Sequence, residues 1–550
     1  MKRFVWLVAI ILFISSAGLA AETHRYLVAT RGAPPQSADH IRVLARDGGT
    51  ATQEHHFYAL RHVNGFIADM TAAEAEELRN EPGIVAVERD HQVHLLGTDA
   101  RAFADGRRRT LSTVSADSVS TQITPYGITA VHAPDVWPYG RGAGIKVGII
   151  DTGITKNHPD LASAYAGGFD FVENDDDPQD ENGHGTHVAG TIGARDNGIG
   201  VIGVAPDVQI YSLRILGADG NGSVSDEVKA VDWAIGHGIN VINLSLGAPD
   251  SSVLEEDAFQ RAYDAGIVTV AASGNESAQA VDYPGAYPTV ISVGAVDDTA
   301  TKADFSNAGN DLKVAGPGVG VFSTYKIGGG EEALVSTMAA NFLAFSIEGS
   351  PAGTVTGQMV YCGKGGAASD FPSAVKNNIA LIDRGDFTFN QKVKNAITAG
   401  ATGVIIANNQ AGASSFTLIR DGNNQIIPAE QRFPWVLSIA VGMKDGASLK
   451  PLENGTVTLS IQSGADYAVL QGTSMATPHV AGVAALIWSL DPSKKGYQVR
   501  NAILATAHDL GPVGWDPDYG FGEVDALAAA KRLVPELFPS TPRHRPLQTP

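Results

Sequence analysis

Ser474 stands in Gly472-Thr473-Ser474-Met475-Ala476-Thr477-Pro478-His479, a small-residue turn that leads into an apolar, alanine-rich run. The run predicts a buried helix with Pro478 near its start, where a missing N–H costs least. Ser474 then lies at a helix N-terminus, where backbone N–H groups and the positive end of the dipole stabilise a developing oxyanion. A serine at a helix start is ordinarily a cap. A base, a carboxylate and an amide elsewhere in the chain set this one apart.

The carboxylate is in Ile149-Ile150-Asp151-Thr152-Gly153, at the end of an apolar run. In an open α/β sheet, ligands gather at the carboxyl ends of the strands. An aspartic protease would need a second Asp-Thr-Gly, and the chain has none. The base is His184 in Asn182-Gly183-His184-Gly185-Thr186-His187, flanked by glycines that let the backbone turn tightly. His184 and His187 also have the spacing of two metal ligands on a helix, but no third ligand is evident nearby. The amide is Asn275, after the apolar run that ends in Ala271-Ala272-Ser273-Gly274. Asparagine is common in turns for local reasons, so alone it would prove nothing.

The elements that must position these residues are legible as runs. Residues 22–95 read as a small α+β unit with strands at 26–28, 66–68 and 84–88 and a helix at 72–79. Residues 96–120, with Arg107-Arg108-Arg109, read as an exposed linker holding either a processing site or a solvated basic patch. Beyond residue 121, β-branched runs at 145–150, 209–213, 240–246, 267–272 and 290–293 alternate with helical stretches at 187–193, 225–235 and 253–265. Strands apolar on both faces and separated by helices predict an α/β domain, a parallel sheet covered on both sides. Residues 325–466 are too many for a connection and carry their own strands at 379–382, 403–406 and 435–439 and a helix at 389–399. They predict an inserted domain. The main domain is therefore 121–324 plus 467–535, and the proline-rich 536–550 reads as a disordered tail.

Composition narrows the classes. A chain of 550 residues exceeds one compact core. Its net charge of −20 argues against a nucleic-acid surface and favours bound cations. Lys2-Arg3, an apolar run and Gly18-Leu19-Ala20 read as a signal peptide over residues 1–20, so the expectation is a secreted, extracellular protein with no membrane segment after removal. Cys362 is the single cysteine, which leaves no intramolecular disulfide; bound calcium is the expected substitute.

The order Asp151…His184…Asn275…Ser474, each in its motif, resembles the subtilisin-like serine proteases (subtilases). The resemblance implies a serine endopeptidase. Ser474 is its nucleophile, His184 the base, Asp151 the residue that orients the base, and Asn275 an oxyanion donor. It implies a peptide laid as an extra strand against Gly220-Asn221-Gly222 and Ser245-Leu246-Gly247, with Val224 lining the P4 pocket. The wall of the primary (P1) pocket is then Ala272-Ser273-Gly274, small residues with no evident charge at the base. An apolar or aromatic P1 preference with broad specificity follows.

Two calcium sites are implied as well. The first has Gln122, Asp160 and Asn197 side chains with Arg195, Ile199 and Val201 carbonyls. The second lies in the acidic run of Asp170, Glu173, Asp175, Asp177 and Gln179, whose alternative is a solvated acidic loop. Residues 22–95 resemble the inhibitory propeptide of subtilases, notably in His62-Val63-Asn64-Gly65-Phe66 and 82–90, which implies a zymogen cleaved autocatalytically within 96–121. The insertion resembles a protease-associated (PA) domain through 379–385 and 395–401, but Asp386-Phe387-Thr388 stands where many relatives have a cysteine.

The expected partners are protein or peptide substrates and the chain's own propeptide, with the enzyme a monomer. An inactive scaffold is disfavoured because all four positions are filled. An esterase is disfavoured because Ala476 replaces the second glycine of Gly-x-Ser-x-Gly. Narrow dibasic processing calls for acidic pocket residues that the wall does not supply.

Overall fold

The computed structural model describes residues 22–32, 57–96, 122–410, 416–420, 425–428 and 431–538. The expected signal peptide and nearly all of the expected linker lie outside the described residues.

The first unit is a four-stranded sheet of β1 (Thr23–Thr30), β2 (Phe57–Ala59), β3 (Gly65–Thr71) and β4 (Ile84–Arg89), in the order β2-β3-β1-β4. Its helix, Ala72–Arg79, opens with Thr71 and Glu74 in a capping box, which satisfies donors at the exposed helix start. One face buries Tyr26, Val28, Phe66, Met70 and Leu78 around its own core. The other face, with Leu27, Ala29, Leu60, Val63 and Ile67, packs on two helices of the next domain, Val224–Gly236 and Val253–Asp264.

The central domain is built on β6 (Lys146–Asp151), β7 (Tyr165–Asp170), β8 (Gln209–Arg214), β10 (Val241–Leu244), β12 (Val268–Ala272), β13 (Ile291–Val296) and β14 (Val314–Pro317). They form one sheet in the order β14-β13-β12-β10-β6-β8-β7, all parallel. Helices cover both faces, so the central strands are apolar on both sides: Val241, Ile242, Asn243 and Leu244 are all buried. The helix Thr473–Trp488 is buried from end to end.

Three short segments form a separate sheet at the cleft: β5 (Gln92–Leu95) lies between β9 (Asn221–Ser223) and β11 (Leu246–Gly247), antiparallel to both. The first unit therefore reaches the cleft with its last described strand.

The insertion leaves after β15 (Val321–Thr324) and returns at β23 (Tyr467–Leu470), and these two strands pair, Thr324 opposite Tyr467. Between them lie β16 (Gly330–Thr337), β17 (Asn341–Ser346), β18 (Gly353–Tyr361), β19 (Ile379–Asp383), β20 (Gly403–Ala407), β21 (Leu437–Val441) and β22 (Thr456–Ala465). The pairing of β16 with β22 closes this set on itself around its own core. At the other end, the expected tail starts too early. Pro535–Leu537 form a helical turn and Phe538 packs on Tyr139, ring centroids 4.4 Å apart, so order extends through Phe538.

Candidate active site

Asp151 is the last residue of β6, and its buried carboxylate faces the ring of His184, the first residue of the helix His184–Gly193. His184 Nδ1 lies 2.8 Å from Asp151 Oδ1 and 3.1 Å from Oδ2. The close approach depends on Gly185, whose added Cβ would stand 2.2 Å from the Gly153 carbonyl. Asp180 locks the loop before the helix: its two oxygens accept from Thr152 Oγ1, the Asn182, Gly183 and Thr186 N–H groups, and Thr186 Oγ1. Nothing in the local sequence pattern singles out Asp180 among its acidic neighbours.

Ser474 is the second residue of its helix, and Gly472 precedes that helix with no side-chain cap. Pro478 proves to be in the helix interior rather than its first turn. The proline has no N–H for the Ser474 carbonyl, four residues back, and Ser245 Oγ donates to that carbonyl instead, at 2.8 Å. The break in the helix ladder thereby ties the nucleophile's turn to the pocket wall. Asn275 Oδ1 accepts from Thr473 N–H at 2.9 Å, which fixes the amide and leaves Nδ2 free. His184 Nε2 and Asn275 Nδ2 are both buried without a hydrogen-bond partner among the described residues. Each buried orphan needs an explanation, and a reacting group would complete these two.

β5 brings a carbonyl to that place. Leu95 N–H donates to Gly220 O at 3.0 Å, Val93 sits opposite Gly222, and His94 opposite Gly247. Val93 is fully buried in the same cluster as Val224. Ser474 Oγ lies 2.5 Å from Leu96 O and 2.8 Å from Ser245 O. Leu96, read from sequence as the start of a linker, thus belongs to the docked segment.

His187 is not a metal ligand. Its Nε2 lies 3.0 Å from Val321 O and 3.2 Å from Ala468 O, and burial brings its pKa down to about 3, so the ring stays neutral. The small residues 272–274 are buried, and a carboxyl group lies beside them. Asp282, which follows the wall by a loop, donates its N–H to Ser273 O and turns its carboxyl toward Gly274.

The two expected cation loops differ. Gln122 Nε2 donates to Arg195 O at 2.7 Å and to Val201 O at 3.3 Å, and Asn197 Nδ2 to Asp160 Oδ1 at 3.0 Å. Ile199 N–H donates to Asn197 Oδ1 in the same loop. Carbonyls, amides and one carboxylate therefore converge, a hard-oxygen donor set that suits a calcium ion once the two amides turn their oxygens inward.

In the second loop the acidic side chains are met by protein groups. Asp170 is buried in an ion pair with Arg214 at 2.7 Å and accepts from the Val172 and Glu173 N–H groups. Asp175 accepts from Asp177 N–H, Asp177 pairs with Lys156, and Gln179 reaches only the Asp180 carbonyl. Among the described residues no three acidic, histidine or cysteine side chains come together as a metal cluster.

Family models match three stretches of the chain: the subtilase family over residues 142–341, peptidase inhibitor I9 over 21–96 and the PA domain over 355–449. Subtilisin DY of Bacillus licheniformis is 47% identical over 209 residues, 37% of this chain and 76% of that relative. The chain belongs to the subtilase family. Subtilisin E of Bacillus subtilis (strain 168) is similar at 36% over 317 residues, 56% of this chain and 75% of the relative.

Among solved structures, the crystal structure of the psychrophilic subtilisin-like protease Apa1 from the Antarctic psychrotroph Pseudoalteromonas sp. AS-11 superposes with a TM-score of 0.66. It is 32% identical and covers 76% of this chain and 100% of that one. This subtilase is a subtilisin-like serine peptidase with an I9 propeptide and an inserted PA domain.

Proposed function

We propose that the chain is an exported serine endopeptidase made as a zymogen, and that its first substrate is its own Leu96–Gly97 bond. The observation that carries this reading is the seating of Leu96 O against Ser474 Oγ by a strand paired on both sides. Ser474 Oγ attacks the Leu96 carbonyl carbon and gives its proton to His184 Nε2, whose imidazolium faces the Asp151 carboxylate. The oxyanion is held by Asn275 Nδ2 and the Ser474 N–H. His184 then passes the proton to the Gly97 nitrogen as the C–N bond breaks. Water hydrolyses the acyl-enzyme and frees a Leu96 carboxylate. Val93 and Leu96 then occupy the P4 and P1 pockets, which supports the apolar P1 preference for other peptide substrates as well.

Gln122, Asp160, Arg195, Asn197, Ile199 and Val201 hold one calcium ion in this reading, and the ion braces the loop that follows the His184 helix. Its part is structural, and no chemical step passes through it.

Expression of the full chain and of Ser474→Ala tests the proposal. The parent should split to give Gly97 as a new N-terminus and then react with a fluorophosphonate probe; Ser474→Ala should stay whole and unlabelled. A folded parent that neither splits nor labels would overturn the reading.

A further inference from the structure

Asp282 lies beside the P1 pocket with a second carboxyl behind it, and this inference rests on the endopeptidase reading above. Positions on both pocket walls locate Asp282. A Cβ added at Gly247 would stand 2.8 Å from Leu96 Cδ1 and 3.2 Å from Asp282 Cβ, so the leucine side chain and Asp282 share one small space. On the opposite wall, the Cβ position of Gly274 is 2.7 Å from Asp282 Oδ2, and Gly274 itself has φ +112°, a conformation that favours glycine. The Asp282 N–H bond to Ser273 O, 3.0 Å long, fixes the residue across the pocket floor.

Glu276 is the second carboxyl. Its Oε2 accepts from Asn275 N–H and Asn307 Nδ2, both at 2.8 Å, and its charge acts on the Asp282 carboxyl. Two carboxyls that feel each other's charge favour one retained proton between them. Glu276 is already committed to two N–H donors, so that proton belongs on Asp282. Burial, with the Glu276 charge second, pushes the Asp282 carboxyl up to about 7. Among the described residues, Glu276 is the one charged side chain acting on it.

We propose that Asp282, backed by Glu276, lets this pocket accept lysine and arginine at P1 in addition to leucine-like side chains. A protonated Asp282 presents a neutral floor to Leu96. A longer cationic side chain reaches past the position of Leu96 Cδ1, displaces the proton and finds a charge-assisted hydrogen bond. Arg107-Arg108-Arg109, which the endopeptidase reading leaves without a role, then becomes a second self-cleavage site downstream of Leu96.

The test uses enzyme matured from the full chain and peptides identical except for lysine, arginine or norleucine at P1. Norleucine matches the lysine stem without its charge. The ratio of kcat/KM for lysine over norleucine cancels the titration of His184, which acts on both peptides alike.

Asp282 gains its charge as pH rises through about 7, so the ratio should climb about tenfold between pH 6 and 8. In Asp282→Asn it should be flat with pH and at least tenfold lower at pH 8. If that variant fails to mature, Glu276→Gln supplies the comparison, since loss of the neighbouring charge should shift the climb to lower pH. A ratio that is low and flat in the parent, or unchanged in Asp282→Asn, would overturn the proposal while leaving the peptidase intact. Failure to cleave the norleucine peptide would instead overturn the endopeptidase reading.

Discussion

Asn275 is a common turn residue with a fixed orientation. Its Oδ1 is held by Thr473, the residue beside the nucleophile, so the direction of Nδ2 is set before any substrate arrives. Asn275→Ala should therefore lower kcat by about 10²–10³-fold with a small change in KM, since the donor acts on charge that develops only in the transition state. An equal loss through KM alone would show that the amide serves binding instead. Asp151, His184, Asn275 and Ser474 were legible in the sequence because each sits in a distinctive small-residue motif in a characteristic order. Asp282 was not, because it reaches the floor through a loop after the wall, and nothing in its neighbours' types marks the direction of its side chain. The ion pair of Asp170 was hidden for a related reason. A run of acidic residues says nothing of the distant Arg214 that neutralises one of them.

At the scale of elements, the propeptide is held by carboxylates at helix starts. Glu88 accepts from Ser252 Oγ and Val253 N–H at one helix start, and Asp90 from Ser225 N–H at the other. Asp232 accepts from the Arg61, His62 and Val63 N–H groups. Glu88 and Asp90 complement the positive ends of the helices, whereas Asp232 acts from within its helix. The same two helices bury Glu255 and Glu227, and neither Glu227 oxygen has a hydrogen-bond partner. Burial raises the Glu255 pKa from the usual 4.5 to about 8 and holds Glu227 well above the usual value.

A carboxyl with a raised folded-state pKa gives stability that is complete below the unfolded value and lost as pH rises toward the folded one. The Glu255 contribution is therefore lost between about pH 4.5 and about pH 8. Between pH 5 and pH 9 the parent should lose more Tm than Glu255→Gln, measured by calorimetry on Ser474→Ala backgrounds to prevent self-digestion. Parallel curves would contradict this account. Periodicity showed the main strands and helices but not the four-residue β5, which is a strand only because two other segments pair with it. Local sequence carries no record of such pairing.

For the whole molecule, the insertion costs the host fold little. Tyr325 N–H donates to Asp466 O at 2.6 Å, so 140 or so residues enter and leave through a gap that a hairpin turn would span. The proposed calcium loop bears more on stability. Arg195, Asn197 and Val201 are tied to Gln122 and Asp160 from distant parts of the chain. An ion at a hundredfold excess over its Kd adds about 2.7 kcal/mol. At about 2–4 °C per kcal/mol for a domain of this size, a chelator in excess should lower Tm by roughly 5–10 °C, and Asp160→Asn should lower it without further response to chelator. An unchanged melt would remove calcium from the account. The residues through which the first unit packs on the second were not legible, since they lie on opposite sides of the linker.

Leu96 O already rests against Ser474 Oγ, which fixes the kinetic order of maturation. A bond seated on its own nucleophile breaks in a first-order step, at a rate indifferent to dilution, because the encounter has been replaced by folding. Release of the severed segment is a separate step, because the pairing of β5 with β9 and β11 does not depend on the bond that is cut.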